Sequence, residues 1–109
     1  MIYEMRIYRC VPGHLPTLLE RFEKTTLRIW ERLGIRQAGF FTTVVGESNS
    51  ELTYFIAWES LAEREAKWTA FMKDPEWIEA RAAHRAAHGE VVASISNQFL
   101  APTAFSVVR

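Results

Sequence analysis

The apolar residues of this 109-residue chain switch between a period of two and a period of 3.6 in a fixed order, which constrains the fold more than any other feature. Ile2 to Cys10 alternates, with Tyr3, Met5 and Ile7 on one side and Glu4, Arg6 and Tyr8 on the other. Pro12-Gly13 ends that strand. His14 to Leu33 then repeats at three and four through Leu15, Leu18, Leu19, Phe22, Thr26, Ile29, Trp30 and Leu33, and Gly34 stands where a helix C-terminal glycine belongs. Ile35 to Val45 and Leu52 to Trp58 read as two extended runs joined by the polar turn Gly46 to Ser50, a hairpin.

Ser60-Leu61-Ala62-Glu63 has capping-box spacing and predicts a helix to about Met72, with Leu61, Glu65, Trp68, Phe71 and Met72 marking its inward stripe and Glu65 the exception on it. Asp74-Pro75, a cap followed by a first-turn proline, breaks that helix and starts another that runs to His88 and Gly89. Val91 to Leu100 is the last strand: Val91, Ala93, Ile95, Asn97 and Phe99 share one face, and Val92, Ser94, Ser96 and Gln98 the other. The order is strand, helix, strand, strand, helix pair, strand. Right-handed connections turn it into an α+β, ferredoxin-like β-α-β-β-α(α)-β chain: a four-stranded antiparallel sheet with helices on one face, in one domain over residues 1–109.

Composition narrows the partners. Thirteen basic residues balance thirteen acidic ones. The helical stretch 14–33 holds four basic and three acidic residues, and 60–88 holds five of each. No basic patch is dense enough for nucleic acid, and no helix suits an anionic membrane surface. No apolar run approaches the roughly 18 residues of a membrane span. The start, Met1-Ile2-Tyr3-Glu4, lacks the pattern of a signal peptide, and a single cysteine excludes an internal disulfide, so the expected location is cytoplasmic.

Aromatic residues are abundant: seven Phe, four Trp and three Tyr, more than so small an interior readily holds. Phe40 and Phe41 are adjacent, so one of them faces away from the helices in any register. Tyr54, Ile56 and Trp58 alternate with Phe55 and Ala57. Apolar area exposed on an open sheet face forfeits about 25 cal/mol per Å². The pattern predicts a second copy of the chain against that face, a homodimer through the sheets.

Chemistry is more weakly marked. There is no glycine-rich phosphate loop, no HExxH and no nucleophile elbow. His84 and His88 stand at i,i+4, a spacing two ligands of one ion can share, but two solvated residues at a helix end is the plainer reading. His14 reads as a cap or surface residue and Cys10 as a small buried one. No metal and no cofactor are expected. The candidate pocket gathers polar groups in an aromatic wall: Glu4, Arg6, Tyr8, Phe41, Tyr54, Trp58 and Gln98, lining a cavity on the sheet faces turned away from the helices and closed by the partner sheet. In a reactive site Glu4 would be a base, Arg6 an anion-stabilising group and Tyr8 a donor. The plainer alternative pairs Glu4 with Arg6 as structure alone.

The chain resembles the NIPSNAP family, within the dimeric α/β-barrel superfamily. The resemblance rests on Ile2-Tyr3-Glu4-Met5-Arg6-Ile7-Tyr8, on Gly34-Ile35-Arg36-Gln37-Ala38-Gly39-Phe40 into Thr43, and on Glu51-Leu52-Thr53-Tyr54 followed by Ala57-Trp58-Glu59-Ser60-Leu61. Arg64, Trp68, Phe71, Asp74-Pro75-Glu76-Trp77 and Pro102-Thr103 complete it. It implies a homodimer whose two sheets face each other to form a barrel. The wider superfamily includes cofactor-free quinone-forming monooxygenases, haem-degrading enzymes and polyketide-processing proteins. None of the three histidines falls in a strand, so the resemblance carries over no haem ligand. Two readings follow: a homodimer that binds a small apolar or aromatic molecule, with monooxygenase-like chemistry as its reactive variant, or a non-catalytic scaffold. A pocket larger than about 300 Å³ favours the first.

Overall fold

The computed structural model describes residues 1–109. It contains β1 (Ile2–Cys10), α1 (Leu15–Arg21), a π-helical turn (Phe22–Thr26), α2 (Leu27–Leu33), β2 (Arg36–Thr42), β3 (Glu51–Trp58), α3 (Leu61–Lys73), α4 (Pro75–His88) and β4 (Val92–Leu100). The strands lie in the order β2-β3-β1-β4, each neighbouring pair antiparallel. This is the ferredoxin-like α+β arrangement that the order of periods predicts.

The local signals work as their chemistry requires. The Ser60 hydroxyl accepts from Glu63 N at 3.1 Å, and the Asp74 carboxylate accepts from Trp77 N at 3.1 Å. Each satisfies an amide that the first helical turn leaves without a partner. Glu63 completes its half of the box one residue early, accepting from the Glu59 amide at 3.0 Å. Gly34 closes α2 at φ 76°, a left-handed conformation that favours glycine.

The first helix is not regular throughout. Leu27 N donates to Phe22 O, a bond five residues back, which widens one turn. The extra residue keeps Leu18, Phe22 and Thr26, spaced by four, on the same buried side as Ile29 and Trp30.

The face of the sheet beneath the helices carries Glu4, Arg6, Tyr8 and Cys10 of β1 and Leu52, Tyr54, Ile56 and Trp58 of β3, all buried. Phe22 meets the rings of Tyr8, Phe40 and Tyr54, and Trp30 meets those of Tyr54, Phe40, Trp68 and Phe71. Phe40 stacks on Tyr54 with centroids 4.6 Å apart. The core is thus an aromatic layer between sheet and helices.

The structure corrects four expectations. The polar side of β1 faces the helices, not the open side, because Tyr54 and Trp58 on the neighbouring strand bring a hydroxyl that accepts from Arg6 and an indole that donates to Glu4, which makes its burial tolerable. On α3 the inward side is Arg64, Trp68 and Phe71, at i, i+4 and i+7. Leu61 and Glu65 are exposed, and Met72 is only partly covered. β2 ends at Thr42, so Val44 and Val45 stand in solvent; their β-branched side chains favour a strand, but no partner strand reaches them. β4 begins at Val92, after Val91 O has accepted from Val11 N.

The open face bears Tyr3, Met5 and Ile7, with Phe55, Ala57 and Phe41 beside them. Phe41 packs edge-on against Phe55 and remains 57% exposed.

Candidate functional site

Beneath α3, three strands and one helix converge on a carboxylate. Glu4 is 0% exposed. Its Oε2 accepts from Arg6 Nη1 at 2.9 Å, Asn97 Nδ2 at 2.8 Å and Arg64 Nη2 at 3.3 Å. Its Oε1 accepts from Trp58 Nε1 at 3.1 Å and Arg64 Nε at 3.2 Å. The alternation of β1 brings Glu4 and Arg6 to the same face, and the register sets Asn97 opposite Arg6. Burial is the largest influence on this carboxyl and opposes its charge. The bonds from Arg64, Asn97 and Arg6 more than offset that and hold it below the usual carboxylate range.

Arg6 continues the network. Its Nε donates to the Tyr54 hydroxyl at 2.8 Å and its Nη2 reaches the Tyr8 hydroxyl at 3.5 Å, while Tyr54 donates to Tyr8 at 3.1 Å. The guanidinium lies 4.7 Å from the centre of the Trp68 ring, and Arg64 lies 5.2 Å from the same ring. Burial lowers the basicity of Arg6, but the neighbouring phenols and Glu4 outweigh it, so Arg6 stays charged. Burial, aided by Tyr8, pushes Tyr54 well above the ordinary phenol range, so Tyr54 stays protonated and can donate.

A cavity of about 680 Å³ opens beside this network, between the helices and the β1–β4 part of the sheet. Arg6 and Tyr8 form part of its wall, Trp68, Phe71 and Trp77 supply aromatic surface, and Arg21, Arg81 and His84 bring nitrogen to it. Its size lies within the range of small-molecule sites.

The structure thus divides the residues singled out in the sequence. Arg6 and Tyr8 reach the cavity; Glu4, Tyr54 and Trp58 stand behind them in the same network. Phe41 and Gln98 do not join them. Gln98 lies opposite Met5 and Phe41 packs on Phe55, both on the open face. Cys10 is a buried free thiol whose pKa burial pushes up, which disfavours the reactive thiolate. His84 and His88 sit with ring centres 4.7 Å apart, and no group of three or more His, Cys, Asp or Glu side chains is arranged around a metal position.

Several residues of the site were not singled out in the sequence. Asn97 was visible as the one amide on an otherwise apolar strand face, which signals a buried polar partner. Arg64 was visible as the residue one turn before Trp68 on the inward side of a capped helix. Arg21 and Arg81 carry no such mark, because arginines on helices are usually solvated.

The family profile named NIPSNAP matches residues 3–107. A NIPSNAP family protein from Agrobacterium tumefaciens has a solved structure with a TM-score of 0.87 and 25% identity, over 99% of this chain and 98% of that one. A second from the same organism, described as of unknown function, gives a TM-score of 0.85 and 27% identity over 100% and 94%. A putative antibiotic biosynthesis monooxygenase from Nitrosomonas europaea shares the fold, with a TM-score of 0.63 at 7% identity over 94% and 98%. Among curated proteins the chain finds no match. No helix is long and apolar enough to cross a membrane.

Proposed function

The chain belongs to the NIPSNAP family, and on that footing we propose that it works as a homodimer that binds a small apolar or aromatic molecule in the cavity between its helices and its sheet. The cavity of about 680 Å³ carries this reading: a domain of this size has no structural need for so large an opening lined by Trp68, Phe71 and Trp77. Two copies meet through their open faces. The half-buried Tyr3, Met5 and Ile7, with Phe41 and Leu100, form an apolar surface that favours a partner.

In this reading Glu4 is a counter-ion and not a base. Both its oxygens are occupied by donors, and it is sealed from the cavity. The arginine and tyrosine it holds in place form the polar end of the pocket. The reading therefore claims recognition and no reaction.

The test is titration with the neutral fluorescent probe N-phenyl-1-naphthylamine. Saturable binding that Ala82→Trp abolishes supports the pocket, because Ala82 is an exposed helical residue on the cavity lining and an indole there fills the opening. Binding that is absent, or is unchanged by Ala82→Trp, removes the pocket reading. Sedimentation showing a single chain mass at micromolar concentration removes the dimer.

A further inference from the structure

Arginine is unusually common on the cavity lining, and not all of it is compensated. Arg6 is matched by Glu4, and Arg85 pairs with Glu90 at 2.6 Å. Arg21 and Arg81 take part in none of the structure's ion pairs. Both line the same cavity. Burial is the largest cause of the lowered basicity of Arg21, and Arg81 adds to it. Two like charges held near each other at a half-dry wall call for a counter-ion.

Unpartnered nitrogen atoms point the same way. Arg21 Nε and Trp77 Nε1 are buried and have no hydrogen-bond partner, and the Arg21 guanidinium lies 5.5 Å from the Trp77 ring. His84 Nε2, on the same lining, is also buried and unpartnered. Buried polar groups in folded proteins are mostly paired, and three of the five unpartnered buried atoms belong to residues on this one lining. All three are nitrogens, and Arg21 and Trp77 can only donate. The complementary group is an acceptor carrying negative charge.

We propose that the cavity takes a small organic anion with a flat apolar body, its acidic group held by Arg21 and Arg81 and its body laid against Trp68, Phe71 and Trp77. This deepens the pocket reading and rests on it. The acid is a carboxylate: its planar two-oxygen end fits the planar fork of a guanidinium, and its delocalised body suits an aromatic wall.

The experiment compares 2-naphthoate with 2-naphthamide, which match in shape and differ in charge, by quenching of tryptophan fluorescence at low salt. The expected result is a preference for naphthoate of about tenfold or more, as charge-assisted pairing implies. Arg81→Gln and Arg21→Gln each reduce that preference, with naphthoate affinity falling more than naphthamide affinity, and Arg81→Lys retains part of it. Arg81 is exposed on α4, so its substitution tests the proposal even if Arg21→Gln fails to fold. Equal affinity of the wild type for the two compounds overturns the anion assignment and leaves the pocket reading standing. So does a preference that survives the arginine substitutions. If neither compound nor the neutral probe binds, the pocket reading falls, and this proposal with it.

Discussion

Asn97 Nδ2 lies 2.8 Å from Glu4 Oε2, so the last strand of the fold is tied by a side chain to the buried charge of the first. The bond crosses the β1–β4 pair at its centre, where Arg6 and Asn97 are register partners. It makes the edge strand, exposed over most of its length, part of the same polar network as Trp58 and Arg64.

Glu4 anchors that network, and its loss leaves Arg6 and Arg64 without their carboxylate. Breaking a buried pair by removing one partner costs about 3–5 kcal/mol. Glu4→Gln is expected to lose stability in that range, read as a lower urea midpoint at constant slope. A loss below about 1 kcal/mol would contradict the burial and bonding described for it.

The Tyr54 hydroxyl accepts from Arg6 Nε and donates to Tyr8. Tyr54→Phe keeps the ring that stacks on Phe40 and removes only the oxygen. The expected cost is about 1.5–3 kcal/mol, the range for a bond to a charged group. The double variant with Tyr8→Phe should cost less than the sum of the two single changes, since the hydroxyls bond to each other.

Acid should weaken the fold in two stages. The Glu4 carboxyl titrates lower in the folded chain than in the unfolded one, where the ordinary value is 4.5. The unfolded chain therefore binds more protons just below that value. The contribution of Glu4 is complete above it and is lost as pH falls through the folded value. His84 acts in the same direction at higher pH: burial, with help from Arg21 and His88, holds it below its ordinary 6.5. Stability should begin to fall as pH drops through that region and fall more steeply below 4.5. Glu4→Gln should flatten the lower part of the profile and His84→Asn the upper part. A profile in which neither substitution changes its own part would refute the assignment.

Phe41 is the ring that the register forces out of the core. Phe41→Lys puts a charge on the open sheet face at a side chain already 57% exposed. Chain stability should change little, while sedimentation should show dissociation to single chains. A dimer that survives this change and Met5→Lys together would place the contact elsewhere.

Much of the fold was legible because it is local. Capping at Ser60 and Asp74, the left-handed Gly34 and the alternation of β1 depend on residues a few positions apart, and their chemistry is the same in any tertiary context. The π-helical turn was not legible, since Leu27 bonding to Phe22 is a response to what Thr26 and Trp30 must pack against.

By itself the sequence determined the elements, their order and the grouping of Glu4, Arg6 and Tyr8 on one side of a strand. Which side of the sheet that was, only the tertiary structure decided. Alternation fixes which residues share a face but not which face the helices cover. The choice fell to donors far away in the chain, Trp58, Arg64 and Asn97, whose bonds make a buried carboxylate tolerable. The same choice moved the polar group from the open face to the wall of a cavity under the helices.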